Sequence, residues 1–125
     1  MEKQELGRIE ISDDVIRTIA GIAVSEITGI AGMRGSFIDG IKQATTGKKE
    51  FSAGVEVRRE NEAFIIDLDI IIDYDVKISD VSVKAQKIVK EKVEAITGKA
   101  VGAVNVHVAD IRLPGEFSEP EGEES

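Results

Sequence analysis

Four aspartates alternate with apolar residues in the middle of the chain, and they form the one group whose types and spacing could support chemistry: Asp67, Asp69, Asp73 and Asp75. Paired carboxylates can divide acid and base roles, and clustered carboxylate oxygens bind Mg²⁺ or Ca²⁺. Alternate residues of a strand lie about 7 Å apart, so neighbouring aspartates could share an ion only with ligands from elsewhere. We therefore expect a solvated face with cross-strand partners, and keep an ion site and a catalytic pair as alternatives.

The other residues that commonly carry chemistry do not form a recognisable site. His107 is the single histidine, and its position in the closing apolar run predicts that it projects from the same sheet face as the aspartates. No serine occupies a Gly-x-Ser-x-Gly elbow, and the glycines at 29, 32 and 35 lack the pattern and the downstream acidic residue of a dinucleotide fingerprint. We predict no catalytic residue, no cofactor and no metal ligand.

The aspartates require a long strand to position them. Residues 54–60 and 63–76 predict an antiparallel hairpin that turns near Asn61-Glu62. In the second strand, every other residue is apolar and predicts a buried face: Phe64, Ile66, Leu68, Ile70, Ile72, Tyr74 and Val76. The opposite face contains the four aspartates with Ile65 and Ile71, and we expect it to be open to solvent or to another chain.

A repeated pattern predicts the two helices that cover the apolar face. Ile11-Ser12-Asp13 precedes an amphipathic stretch that closes at Ile27-Thr28-Gly29, and Ile78-Ser79-Asp80 precedes one that closes at Ile96-Thr97-Gly98. Ser12 is the expected cap of the first helix, and both stretches are expected to be capped helices that stop at their glycine. Strands are predicted over residues 7–11, 30–34 and 101–113. The predicted fold is a single α+β domain with a mixed or mainly antiparallel sheet and two main helices on one face, built from two strand-helix-strand cassettes.

Composition sets the outer limits of the function. The net charge of −8 falls to −3 without residues 115–125, which contain five glutamates and no lysine or arginine. We predict one domain over residues 1–114 and a disordered acidic tail over 115–125. The near-neutral body and the acidic tail disfavour nucleic-acid binding. The start of the chain lacks the profile of a secretory signal, so we expect a cytoplasmic protein that reaches a membrane only indirectly.

Residues 35–50 predict a mobile insertion, because they combine three glycines with a short apolar and basic stretch. Phe37, Ile38 and Ile41 could share one side of a helical turn. They either pack back onto the domain or form a docking or membrane-touching patch.

Over about residues 5–113 the chain contains a series of short ordered motifs: Gly7-Arg8-Ile9-Glu10-Ile11-Ser12, Ile19-Ala20-Gly21-Ile22-Ala23, Ser25-Glu26-Ile27-Thr28-Gly29-Ile30-Ala31-Gly32-Met33, Gly54-Val55-Glu56-Val57 and Val104-Asn105-Val106-His107-Val108. These motifs resemble the alkaline shock protein family, also called the Gls24-type envelope stress response proteins of Gram-positive bacteria. The resemblance implies a small non-enzymatic cytoplasmic protein that self-associates and collects at the membrane through a small integral-membrane anchor protein. Other members look tied to lipid synthesis.

The expected function is therefore that of an adaptor or scaffold in cell-envelope stress response or homeostasis, which self-associates and docks to a membrane-anchored partner. Its candidate interaction surface comprises the four aspartates with Phe37, Ile38 and Ile41. One alternative is a regulator that binds a fatty-acid or membrane-lipid synthesis enzyme. A weaker alternative is a metal-dependent hydrolase on the aspartates.

Overall fold

The computed structural model describes residues 6–34 and 52–115. In chain order the elements are α1 (Asp13–Ser25), β1 (Ile30–Met33), β2 (Val55–Glu60), β3 (Ala63–Asp73), α2 (Ile78–Thr97) and β4 (Val101–Arg112). The predicted α+β fold with two main helices and one sheet is confirmed.

The long strand β3 lies at the centre of a mixed sheet. It pairs in parallel with β4 along almost its whole length, and antiparallel with both β1 and β2. The β1 partners lie at 70–72 of β3 and the β2 partners at 63–68, so these two short strands follow one another along the edge opposite β4. Every other strand is therefore positioned by β3.

The boundary between β1 and β2 falls at Asp69. Its carbonyl accepts a hydrogen bond of 2.9 Å from the N–H of Arg34, and its own N–H donates to the carbonyl of Gly54 at 2.9 Å. Gly54 has a φ of +79°, and a Cβ there would lie 3.1 Å from the carbonyl oxygens of Arg34 and Asp69. Only glycine fits this position without displacing the backbone.

The hairpin between β2 and β3 forms as the sequence predicts. Asn61 and Glu62 have φ values of 51° and 67°, and Glu60 pairs with Ala63 across the turn. Two consecutive positive φ values characterise the two-residue type I′ turn, whose twist matches that of the strands.

Both helices pack onto one face of the sheet and enclose the hydrophobic core. Four fully buried apolar side chains of β3 line the sheet side of this core: Ile66, Leu68, Ile70 and Ile72. The helix side consists mainly of small and β-branched residues at helical spacing: Ile16, Ala20, Ala23, Val24, Val81, Ala85, Val89 and Val93. Burying each large side chain contributes about 1.5–3 kcal/mol, so this layer provides most of the driving force for folding.

The repeated serine caps only the first helix. The Ser12 hydroxyl accepts a hydrogen bond from the N–H of Val15, as predicted. The second helix begins at Ile78, however, with Lys77 as an N-cap that makes no side-chain bond, and Ser79 lies inside the helix. The first helical bond therefore runs from the N–H of Val81 to the carbonyl of Lys77. The C-terminal glycine of α2 is confirmed, since Gly98 is left-handed with a φ of 73°.

The predicted strand over residues 7–11 is wrong. This segment has no regular secondary structure, and Ile9 remains 75% exposed. The carbonyl of Ile11 accepts a 2.8 Å hydrogen bond from the guanidinium of Arg59, a side chain, in place of a neighbouring strand. The first cassette consequently lacks its opening strand.

The end of β3 also differs from the prediction. The strand stops at Asp73, and residues 74 and 75 form a turn, so Tyr74 is 63% exposed rather than buried. The N–H of Tyr74 makes a last bond to the carbonyl of Arg112, and that of Val76 then bonds back to Asp73. The chain needs this reversal to enter α2.

Candidate functional site

The side of the sheet that faces away from the helices contains a row of acidic side chains, which we call the aspartate face. It consists of Asp67, Asp69 and Asp73 on β3 with the residues beside them. The parallel register places Asn105, His107 and Arg112 of β4 directly alongside these three aspartates. The predicted position of His107 on this face is confirmed.

Asp67 has partners on both neighbouring strands. The Nε of Arg58 on β2 donates to its Oδ2 at 3.2 Å, and the amide of Asn105 on β4 donates to its Oδ1 at 2.8 Å. Arg58 also contacts Glu60 at 3.0 Å. The Asp67 carboxylate therefore joins all three strands at this level.

The next two aspartates are each paired with a basic side chain of β4. The Nδ1 of His107 lies 3.1 Å from Oδ1 of Asp69, and the imidazole tautomer decides which atom donates. Arg112 donates to Oδ1 of Asp73 from Nε at 2.9 Å and from a terminal nitrogen at 2.7 Å. The latter pair is the more shielded, with side-chain exposures of 33% and 26% compared with 71% for His107 and 44% for Asp69.

The predicted cross-strand pairing is therefore confirmed for three of the four aspartates. Asp75 was predicted to share their face, but it lies in the exposed turn after β3 and is not part of the sheet. Across residues 6–34 and 52–115, no group of three or more acidic or histidine side chains is arranged to hold a metal ion.

The predicted apolar part of the interaction surface, Phe37, Ile38 and Ile41, lies outside the described residues. Its two described flanks are informative, because Arg34 and Gly54 both bond to the backbone of Asp69. Arg34 and Gly54 therefore both lie beside the middle of the aspartate row.

Sequence reasoning missed Arg112 as a member of this face. Simple alternation from His107 assigns residues 109 and 111 to the face, but the β3–β4 register shifts between Ile70 and Ile71. This irregularity reverses the alternation, so that Arg112 lies beside Asp73. A bulge of this kind has no clear signal in a single sequence.

A second polar cluster joins α2 to the outer edge of β4, the edge that faces away from β3. Oε2 of Glu94 accepts a 2.9 Å bond from the N–H of Val101, and Nζ of Lys90 donates to the carbonyl of Val101 at 3.0 Å and to Glu94 at 2.9 Å. The Val101 N–H first, and Lys90 second, lower the pKa of Glu94 below its ordinary value. Nε2 of Gln86 donates to the carbonyl of Val104 at 3.0 Å.

A groove of about 890 Å³ lies at the end of the sheet near the hairpin turn. Residues 8–12, 62–64 and 98–100 line it together with Arg59. The Arg59 guanidinium lies 4.8 Å from the centre of the Phe64 ring and 3.2 Å from a carboxylate oxygen of Asp13. These contacts attach the N-terminal segment to the hairpin, and the groove lies between the two. The sequence alone did not reveal this attachment.

No helix within the described ranges is long and apolar enough to cross a membrane. Among solved structures, the chain is similar to variants of the MamM CTD. One has a TM-score of 0.48 at 11% identity and covers 78% of this chain and 94% of that one. Another has a TM-score of 0.48 at 10% identity, with the same coverage.

Sequence comparison identifies closer relatives. The protein YloU of Bacillus subtilis is 39% identical over 113 residues, which is 89% of this chain and 93% of that protein. YqhY of the same organism is 31% identical over 118 residues, or 94% of this chain and 87% of that one. The stress response regulator gls24 homolog of Streptococcus pyogenes is 30% identical over 111 residues, covering 89% of this chain and 62% of the regulator.

The family comparison agrees with these relatives and with the resemblance seen in the motifs. Residues 1–113 match the model of the alkaline shock protein 23 family, which is described as having a cell envelope-related function. The chain therefore belongs to the alkaline shock protein 23 family.

Proposed function

We propose that the protein is a non-enzymatic adaptor or scaffold of cell-envelope homeostasis or stress response. It works in the cytoplasm, self-associates and docks to a membrane-anchored partner, with the aspartate face as a contact surface. Membership of a family with a cell envelope-related function supports the setting. The observation that carries the proposal is the row of paired but accessible carboxylates on the side of the sheet that faces away from α1 and α2.

The carboxylates of this row keep capacity for a partner. An ionised carboxylate offers about four lone-pair sites. Asp69 has one side-chain partner in the described part of the chain, the imidazole of His107, and remains 44% exposed. A lysine or arginine from another protein could therefore bind Asp69 without breaking an interaction of the domain. Such contacts favour orientation and selectivity over raw affinity.

The geometry gives less support to metal binding or catalysis at the aspartates. Each aspartate of the row is paired with a different residue of β4, so the carboxylates do not converge on one point. A shared ion would need to displace Arg112 from Asp73 or Arg58 from Asp67. Calorimetric titration with Mg²⁺, Ca²⁺ and Mn²⁺ tests the hydrolase alternative; we expect no binding heat, and stoichiometric binding that is lost in Asp69→Asn would favour that alternative.

Charge reversal tests the role of the face directly. We expect Asp69→Lys combined with Asp73→Lys to disrupt self-association and partner binding, because two attractive positions become repulsive. The matched control combines Glu26→Lys with Glu91→Lys, which changes the net charge equally at two exposed positions, the first directly after α1 and the second on α2. Sedimentation velocity at several salt concentrations gives the assembly size, and circular dichroism verifies folding. Unchanged assembly and partner binding in the aspartate variant would contradict the proposal.

The identity of the partner distinguishes the proposed adaptor function from the alternative, a regulator of a lipid-synthesis enzyme. Affinity capture after cross-linking in native cells should recover a membrane-anchored protein with the natural chain and lose it with Asp69→Lys/Asp73→Lys. Recovery of a carboxylase or an acyl-chain enzyme in its place, with the same sensitivity to charge reversal, would assign the protein to the regulation of lipid synthesis.

A further inference from the structure

The outer edge of β4 is protected by side chains at both ends. At its start, Glu94 and Lys90 bond the N–H and the carbonyl of Val101, and Gln86 bonds the carbonyl of Val104. At its end, the N–H of Ile111 donates to Oδ1 of Asp110 at 2.8 Å. These side chains occupy backbone groups that would otherwise be open to another strand.

Between these caps lies a short unprotected stretch, the edge window, formed by Val106 and Val108. Alternate residues of a strand direct their N–H and carbonyl groups to the same edge. Since the carbonyl of Val104 faces outward to Gln86, the backbone groups of Val106 and Val108 face outward as well. Among the described residues, no group outside the β3–β4 ladder bonds to either of them.

The helix residue nearest to the window is apolar. Gln86, Lys90 and Glu94 form one stripe of α2, and the preceding member of that stripe is Val83. Because Gln86 contacts Val104 and Lys90 contacts Val101, the helix runs antiparallel to β4. Val83 therefore lies about one helical turn further along, beside the window, and it is 45% exposed. The stripe thus changes there from hydrogen-bonding side chains to an apolar surface.

We infer that two copies of the chain pair through this window, β4 against β4 in antiparallel orientation, with the two-fold axis at His107. This register places Val106 of each copy opposite Val108 of the other as hydrogen-bonded pairs. Four backbone hydrogen bonds form, and the two Val83 side chains approach each other across the axis. The inference rests on the self-association included in the proposed function and adds a second contact between copies, beside the aspartate face.

The length and charge of the window favour a second copy over a longer foreign strand. The caps on the carbonyl of Val104 and the N–H of Ile111 leave two residues between them, Val106 and Val108, whose outward N–H and carbonyl are both free among the described residues, and antiparallel self-pairing satisfies both residues in each copy. A longer strand would have to displace Gln86 or Asp110. On the aspartate face, the side chains of this stretch belong to Asn105 and His107, so no lysine or glutamate of one copy faces the same residue of the other. Identical edges can therefore approach without strong like-charge repulsion.

A single-cysteine cross-link tests the register, since the natural chain contains no cysteine. At the axis, His107 would face His107 of the other copy as a non-hydrogen-bonded pair with Cα atoms about 4.5 Å apart. This separation lies within the range of disulfides, about 4.4–6.8 Å. We therefore expect His107→Cys to form a disulfide-linked dimer under mild oxidation.

The matched control is Asn105→Cys, on the same face of the same strand. In the inferred register its two copies would be about four residues apart along the strand direction, or roughly 14 Å, which is too far for a disulfide. We expect little or no linked dimer from this variant. Equal cross-linking of the two variants would overturn the register and with it the inference.

Sedimentation of the natural chain separates this inference from the proposed function. A chain that stays monomeric at every concentration would contradict the proposed self-association itself. A chain that assembles, while His107→Cys links no faster than Asn105→Cys, would contradict the β4 contact alone.

As a second variant, Val108→Pro removes one outward N–H and leaves the ladder to β3 intact. We expect weaker dimerisation with unchanged circular dichroism, and unchanged dimerisation would also contradict the inference.

Discussion

The two faces of β3 differ in the kind of interaction that holds them. On the helix-covered face, Ile66, Leu68 and Ile70 are no more than 1% exposed. On the aspartate face, Asp67 and Asp69 keep 34% and 44% of their side chains accessible. Over residues 66–70 the strand therefore alternates between positions that make the core and positions that present charge.

This difference separates the positions that stabilise the fold from the accessible charges within a single strand. Burial of apolar surface is the dominant favourable term in folding, whereas partly exposed ion pairs contribute about 0–1 kcal/mol. Replacing a core residue should therefore lower the free energy of unfolding strongly. Replacing an aspartate should affect what the protein binds more than whether it folds.

The largest expected effect is on the core face. Leu68→Ala should lower the free energy of unfolding by about 2–5 kcal/mol, because it removes a side chain that is 1% exposed and leaves a cavity. Urea denaturation measures this change. Ile65→Ala on the opposite face is the control, and its half-buried position predicts a smaller loss. An equal loss for both variants would remove the distinction between the faces.

A smaller effect is expected from the most shielded pair of the aspartate face. Asp73→Asn removes the charge opposite Arg112 and keeps the side-chain shape, and we expect a decrease of about 1 kcal/mol or less in the free energy of unfolding. The same denaturation experiment measures it, with Arg112→Gln as the reciprocal variant. A loss comparable to that of Leu68→Ala would show that this pair belongs to the structural core.

The smallest expected effect is the pH-dependent contribution of Glu94 to stability, and Glu94 lies outside both faces of β3. Since the pKa of Glu94 is lower in the folded protein than its ordinary value of 4.5, folding favours the ionised carboxylate. This stabilisation is present above that value and is lost as the pH falls through and below it. Glu94→Gln should therefore be less stable than the natural chain at neutral pH, and the difference should shrink in acid.

Denaturation of both proteins at neutral and acidic pH tests this prediction, with the exposed Glu91→Gln as the control. A stability difference that is constant across this pH range would mean that the charge of Glu94 does not contribute to the contact between α2 and β4.

The elements that depend on local patterns were predictable from the sequence. Alternation identified the two faces of β3, the Asn61-Glu62 turn defined the hairpin, and Ser12 capped the first helix. The errors occurred where another part of the chain decides the outcome. No strand of the described ranges pairs with residues 7–11, and the carbonyl of Ile11 bonds the guanidinium of Arg59 instead.

The residues of the aspartate face were likewise predictable where they depend on local alternation, and not elsewhere. The period of two of a strand predicts that Asp67, Asp69 and His107 lie on this face. The prediction for Asp75 is wrong because the chain must turn there to enter α2. Arg112 was hidden by the shift in register between Ile70 and Ile71. The protected outer edge of β4 was also hidden, since it depends on where side chains of α2 meet a strand that follows later in the chain.

Carboxyl footprinting of the natural assembly tests the central claim, that the aspartate face is a contact surface. Carbodiimide labelling of the assembly isolated from native cells is compared with that of the isolated, dilute chain, and the labelled positions are located by mass spectrometry. The account predicts that Asp69 and Asp73 are protected in the assembly, while Glu26 directly after α1 and Glu91 on α2 react equally in both states. Equal labelling of Asp69 and Asp73 in both states, with protection of Glu26 and Glu91, would contradict it.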